Sequence, residues 1–207
     1  MKKIGILGSG GHAKVVIDII NEINNYIIIG IFDDNKTGYI YDIPIIGKIN
    51  EILIYKDQID CFIIAIGNDM IRKKIYENNI DLYWETLIHP KSIVSKKASI
   101  ECGSIVCAGA IIQTEVKIGK HCIINTGSSI DHESIINDFT SICPKATICG
   151  QVKIGSCTFI GASVTIIQCL NIGNNCIVGA GSVIIRDIND FSKVVGNPGK
   201  NIITLKI

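Results

Sequence analysis

From Ile88 to Ile184, every sixth residue is isoleucine or valine, through seventeen consecutive positions. A period of six fits neither a helix, which repeats every ~3.6 residues, nor a plain strand, which repeats every second residue. It is the repeat of a parallel β-helix, in which each hexad forms one flat side of a prism. The aliphatic residue points inward and stacks on its equivalents in the coils above and below. Four residues later the sequence is mostly small, as at Ser104, Ala110, Ser128, Thr140, Ala146 and Ser182, which lets the chain turn the corner. Glycine follows the aliphatic at Gly119, Gly155, Gly161, Gly173 and Gly179 and is expected to supply turn conformations closed to other residues. Three sides per coil give about five coils. The unbroken phase leaves no room for a loop inserted between them.

Before residue 88 the pattern is different. "KIGIL" reads as a buried strand running into a glycine turn, Gly8 to Gly11. Residues 12–24 carry Val15, Val16, Ile19, Ile20 and Ile23 at helical spacing. "YIIIGIF" (26–32) is a second strand closed by Asp33-Asp34-Asn35, and "DCFIIAIG" (60–67) is a third. Residues 69–78 read as a helix with Asn68 as its cap. Strands alternating with helices imply a parallel sheet. The chain therefore divides into a Rossmann-like α/β domain, 1–86, and a β-helix domain, 87–207.

Composition removes several function classes. Twenty basic and nineteen acidic residues leave a net charge of +1, with no basic cluster to track a nucleic-acid backbone. The N-terminal apolar run stops at Leu7, and no stretch reaches the ~18 apolar residues that cross a bilayer. A cytoplasmic protein without membrane insertion is expected. The nine cysteines are odd in number and contain no C-x-x-C. They read as small core residues in a reducing compartment, and no metal is expected.

Within the hexads lies "NTGSSIDHE" (125–133). Together with the opening "GSGGH", the Asp-Asp after the second strand, "AIGN" after the third and the closing "VVGNPGK", it resembles the left-handed β-helix acyltransferases. More narrowly, it resembles the bacterial sugar acetyltransferases that carry a small Rossmann-like domain before the β-helix. They include UDP-4-amino-sugar and perosamine N-acetyltransferases and sialic acid O-acetyltransferases. The resemblance implies left-handed coils, which the spacing does not show. It also implies a homotrimer with acetyl-CoA lying between adjacent β-helices, serving bacterial surface glycan biosynthesis.

Acetyl transfer to an amine needs a neutral nucleophile, a base for its proton and donors for the oxyanion. His132 is the natural base, because imidazole titrates near neutral pH. Glu133 beside it could raise its basicity, with Asp131 as a competitor. The resemblance makes His132 and Glu133 the catalytic pair and places the polar Asn125 beside them. It assigns acetyl-CoA contacts to Gly150, Ala162, Gly179 and Ala180. It also sets Ser141 where some relatives have a second histidine near the acetyl group. By the same resemblance Gly10, Gly11 and His12 line a nucleotide-sugar site, Asp33 and Asp34 face the uridine, and Gly67 and Asn68 close the pocket. Asp187 and the stretch 194–200 match the family's C-terminal cap, where Lys200 caps the prism or meets a CoA phosphate. His121 is expected on the surface, and His89, before Pro90, is expected to be a structural joint.

Three other readings compete. Gly8-x-Gly10-x-x-Ala13 with Asp33 about twenty residues on fits a nicotinamide loop. The sheet then has too few strands for both nucleotide halves, and the β-helix offers no hydride-transfer site. A metal hydratase on a β-helix, as in the gamma carbonic anhydrases, needs three converging histidines. Only His121 and His132 lie within the coils, with His89 at their entrance. A sugar-nucleotide sensor without activity is disfavoured by the intact Asn125, His132 and Glu133. Between amine and hydroxyl acceptors, the Asp-Asp and "AIGN" elements favour a UDP-4-amino-sugar N-acetyltransferase over a sialic acid O-acetyltransferase.

Overall fold

The computed structural model describes residues 1–204. The N-terminal domain is a five-stranded sheet built from β1 (Lys2–Leu7), β2 (Tyr26–Phe32), β3 (Tyr39–Ile40), β4 (Ile43–Gly47) and β5 (Cys61–Ile64), in the order β3-β4-β2-β1-β5. All pairings are parallel except β3 with β4. Helices α1 (Gly11–Ile23) and α2 (Asp69–Glu77) match the expected elements to within a residue or two. Asn68 caps α2, its Oδ1 accepting the Ile71 N–H at 3.0 Å. The buried face of α1 is Ala13, Val16, Ile17, Ile19 and Ile20, and Val15 points outward. Strands β3 and β4 were not legible because Pro44 interrupts the apolar run. It lies ahead of the pairing with β2, where a missing N–H costs nothing.

The second domain is a left-handed parallel β-helix, as the resemblance implied. Seventeen two-residue strands, from Leu87–Ile88 to Val183–Ile184, make five coils and two faces of a sixth. Each residue pairs with the one eighteen positions on, as Ser129 does with Thr147. The first face contains Ile123–Ile124, the second Ser129–Ile130 and the third Ile135–Ile136. The aliphatic column from Val106 to Ile184 is almost fully buried and forms one continuous core. The small residues four places later are buried too, and their hydroxyls serve the backbone. Thr140 Oγ1 donates to Gly155 O at 2.8 Å and accepts the Thr158 N–H, and Ser104, Ser134 and Thr158 repeat the device. A hairpin of Ser192–Val195 and Lys200–Thr204 extends the first face and closes that end.

The left-handed backbone at the corners does not fall on the glycines that follow the aliphatic. It falls two residues later, on Gly103, Gly109, Gly127 and Gly181 and otherwise on non-glycine residues such as Glu133 (φ 58°), Phe139 (φ 60°), Gln151 (φ 60°) and Cys169 (φ 62°). Gly155 and Gly161 are needed for close approach instead: a Cβ on either would lie 2.6 Å from a backbone nitrogen of the next coil. Regular hydrogen bonds through every corner hold these residues in a conformation they otherwise avoid.

The two domains meet at α2. Arg72, 1% exposed, reaches from α2 into the β-helix. Its Nε donates to His121 O (3.0 Å) and its Nη2 to Phe139 O (2.8 Å) and Ser141 Oγ (3.0 Å). Asp69 Oδ1 holds the same guanidinium at 2.8 Å, and Nη1 donates to Ile66 O and Gly67 O.

His121 is not on the surface. It is fully buried, stacked on Phe139 with ring centroids 5.7 Å apart and flanked by Tyr76 and Trp84. The sequence separates it from Tyr76 and Trp84 by the whole domain boundary, so only tertiary packing shows the aromatic box. Neither ring nitrogen has a hydrogen-bond partner. Burial, with the nearby charges of Arg72 and Lys120, pushes its pKa from the usual 6.5 down to about 3. His12 shifts the same way, to about 4. The unfolded chain therefore binds protons in this range that the folded chain refuses. The stability from neutral burial is complete above pH 6.5 and is lost as pH falls toward the folded-state values. Thermal unfolding midpoints should fall as the buffer is taken below pH 6.5. In a His121→Phe variant the fall should be shallower, leaving the share of His12. Equal pH slopes in the two proteins would count against this.

His89 is buried at the junction, its Nδ1 accepting the Lys91 N–H at 3.0 Å. Five of the nine cysteines are buried, and Cys169 is exposed. Burial raises the Cys122 thiol to about 12, which keeps it protonated.

Candidate active site

His132 follows the second face and sits at the corner leading to the third. The strand pair Ser129–Ile130 buries Ile130, and two residues later the chain has turned outward. The His132 side chain is half exposed, and its Nδ1 lies 3.0 Å from Glu133 Oε2. Hydrogen bonds from His132 and then from Gln151 hold the Glu133 carboxyl below the usual carboxylate range. Asp131 does not share this role: its Oδ1 accepts the His132 backbone N–H at 2.8 Å. An ionised carboxylate only accepts, so the proton of the neutral ring sits on Nδ1 and leaves the lone pair to Nε2. Gly150, one coil on, lies directly beneath the imidazole. A Cβ there would be 2.6 Å from Nε2 and from Cε1.

Asn125 lies at a different corner, between the first and second faces. Its Oδ1 accepts the Thr126 N–H at 2.8 Å. Gly179 and Ala162 occupy the same corner in later coils, with Ala180 beside them. Gly181 N donates to Ala162 O at 2.8 Å, and a Cβ on Gly161 would lie 2.6 Å from Ala180 N. Small residues in register thus form a shallow strip along that corner. Within one chain the base and this strip lie on two different corners of the prism.

Ser141 joins neither group. It is 4% exposed beneath α2, donating to Asp69 Oδ1 (2.6 Å) and accepting from Arg72. Its only proton is already placed, so it belongs to the domain junction and has no donor left for an acetyl oxygen.

At the carboxyl end of the parallel sheet, the loops after β1, β2 and β5 come together. Asp33 ties two of them, its Oδ2 accepting the Ser9 N–H at 2.8 Å and the Ser9 hydroxyl at 2.6 Å. Its Oδ1 accepts the Asn35 and Lys36 N–H groups. Asp34 Oδ1 accepts the Ile49 N–H. Both carboxylates thus have structural work that the sequence did not reveal. A Cβ on Gly10, Gly11 or Gly67 would meet no atom within 4 Å, so this glycine surface stands open. His12 is neutral here, and its buried Nε2 has no partner. Open backbone at a helix start, between strand ends of a parallel sheet, suits a phosphate-bearing ligand. Gly67 and Asn68 also line a cleft of about 760 Å³ between α2 and the β-helix, with Lys73, Phe159 and Phe191. No cluster of metal-ligating side chains occurs among the described residues.

Residues 3–79 match the family described as the PglD N-terminal domain. The whole chain is 34% identical to the acetyltransferase domain of PglB from Neisseria gonorrhoeae FA1090. That likeness covers 98% of this chain and 100% of that one, with a TM-score of 0.93. It is also 30% identical to the perosamine N-acetyltransferase from Caulobacter crescentus, solved as a point variant with CoA and GDP-perosamine. There the coverage is 97% of both chains and the TM-score 0.94. The chain belongs to this sugar N-acetyltransferase family. With the UDP-N-acetylbacillosamine N-acetyltransferase of Bacillus subtilis (strain 168) it shares 36% identity over 118 residues, 52% of each sequence. It spans 24% of the length of protein L142 of Acanthamoeba polyphaga mimivirus. The crystallised family members include complexes with acetyl coenzyme A as well as CoA. The nicotinamide, metal-hydratase and sensor readings have no counterpart among these relatives.

Proposed function

We propose that this chain acetylates the amino group of a nucleotide-linked 4-amino sugar, using acetyl-CoA, with His132 as the base. The observation that carries the mechanism is the His132–Glu133 pair, 3.0 Å apart on a rigid corner. The acceptor amine attacks the thioester carbonyl, and His132 Nε2 takes its proton. The tetrahedral intermediate collapses, the C–S bond breaks and the amide forms. The imidazolium returns the proton to the departing CoA thiolate. Glu133 stabilises that imidazolium through Nδ1–H and fixes the tautomer. No metal enters this sequence.

The glycine surface at Gly10, Gly11 and Gly67, with neutral His12, is assigned to the nucleotide diphosphate. Acetyl-CoA is assigned to the strip of Ala162, Gly179 and Ala180, with Asn125 at its start. Because that strip and His132 lie on different corners of one chain, a second copy is needed to bring them together. Each copy offers one corner and receives the other, so the contact is heterologous and a ring closes it. A trimer is the proposed assembly, with a solution mass three times the 22.5 kDa of the chain.

The test is CoA release with UDP- and GDP-linked 4-amino sugars and free sialic acid as acceptors, with products identified by mass. An acetamido product from a nucleotide-linked amine is expected. An acetyl ester on sialic acid, with amines inert, would replace this reading with O-acetylation.

A further inference from the structure

The corner that carries His132 is continued by two residues that the catalytic pair alone does not require. Gln151 stands one coil beyond Glu133, and Cys169 one coil beyond Gln151. All three have left-handed backbone, with φ of 58°, 60° and 62°. Gln151 grips the pair twice. Its backbone N–H donates to His132 O at 2.9 Å, and its side-chain Nε2 donates to Glu133 Oε2 at 3.1 Å. That oxygen is the one facing His132 Nδ1. Cys169 Sγ donates to Gln151 Oε1 at 3.3 Å. The carboxylate can only accept, so the Gln151 amide must turn its NH₂ toward Glu133 and its oxygen toward the thiol.

Both the His132 and Glu133 side chains are half exposed. An exposed glutamate keeps considerable rotamer freedom unless something anchors it. We propose that Gln151 is a positioning residue, holding Glu133 in the rotamer that keeps the His132 proton on Nδ1 and its Nε2 lone pair toward substrate. The backbone anchor comes with any residue at 151; the side-chain anchor needs an N–H donor of glutamine's reach. This inference rests on His132 being the base.

Two measurements test it, and the first needs no substrate. Nitrogen NMR of labelled protein reads the His132 tautomer directly. The parent should show the proton on Nδ1, and Gln151→Leu should shift the population toward the Nε2–H form. In steady-state acetyl transfer, Gln151→Leu should lower kcat about tenfold, the lower end of what outer partners of metal-bound histidines contribute by the same orienting effect. KM for both substrates should stay within about twofold, the mark of an interaction made for the transition state. Gln151→Lys keeps a donor and should recover most of the loss. Gln151→Glu sets a second carboxylate beside Glu133 and should be at least as impaired as the leucine variant. An unchanged tautomer in Gln151→Leu overturns the proposal. So does parental kcat in that variant when His132→Ala is inactive. If His132→Ala keeps full activity, the catalytic reading itself fails, whatever Gln151 does.

Discussion

His132→Ala is expected to lower kcat by about 10³-fold and to leave the unfolding midpoint unchanged. The rate effect follows from losing a positioned base, worth roughly 10² to 10⁴ in most enzymes. Stability should hold because the side chain is half exposed and its one side-chain partner is Glu133. The local turn is fixed by groups that the substitution spares: the backbone N–H of His132 to Asp131 Oδ1, and His132 O from Gln151 N. KM for the nucleotide sugar should change little, because the glycine surface proposed to bind it lies in the other domain. Steady-state kinetics beside a calorimetric scan would check both halves. A kcat within about threefold of the parent would remove His132 from the mechanism.

Arg72→Met should have the largest effect on stability. The guanidinium is 1% exposed and faces six acceptors at 2.8 to 3.1 Å, three of them on the β-helix side. Methionine fills much of the volume but leaves four carbonyls without their donor and the Asp69–Ser141 pair without the guanidinium. Breaking one side of a buried ion pair costs about 3–5 kcal/mol. For a chain of this size that corresponds to a midpoint lower by roughly 10 °C. Burial already raises the Asp69 carboxyl above the usual range, and losing the Arg72 charge would raise it further. Arg72→Lys should fall between the two, since lysine keeps the charge but offers three donors for six acceptors. Calorimetry gives the midpoints, and limited proteolysis near residues 86–92 would report the loosened junction. A midpoint within about 2 °C of the parent would show that the junction does not depend on this side chain.

The β-helix was legible because its rule is one-dimensional. Stacking one flat side on the next requires an inward aliphatic every sixth residue, and nothing far away in sequence can change that requirement. The pair proposed for catalysis was legible too, because His132 and Glu133 are adjacent in the chain and bring to a corner chemistry that the hexad repeat does not need. In the first domain, the glycine loop and both helices followed from local pattern. The short strands around Pro44 did not, since their pairing depends on partners elsewhere in the sheet.

What the sequence could not show lies where residues distant in the chain meet. His121 looks like any polar corner residue until Tyr76 and Trp84 close over it. Ser141 looks free until Asp69 and Arg72 take its hydroxyl. Asp33 and Asp34 show their structural work only when Asp33 is found on the Ser9, Asn35 and Lys36 N–H groups and Asp34 Oδ1 on the Ile49 N–H. Gln151 sits eighteen residues from Glu133, a separation that becomes contact only because each coil is eighteen residues long. Periodicity by itself thus determined the β-helix architecture, and local chemistry singled out His132 and Glu133 as candidates. The tertiary structure alone decided which polar groups were already satisfied, because hydrogen-bond partners are set by the packing of coils and domains.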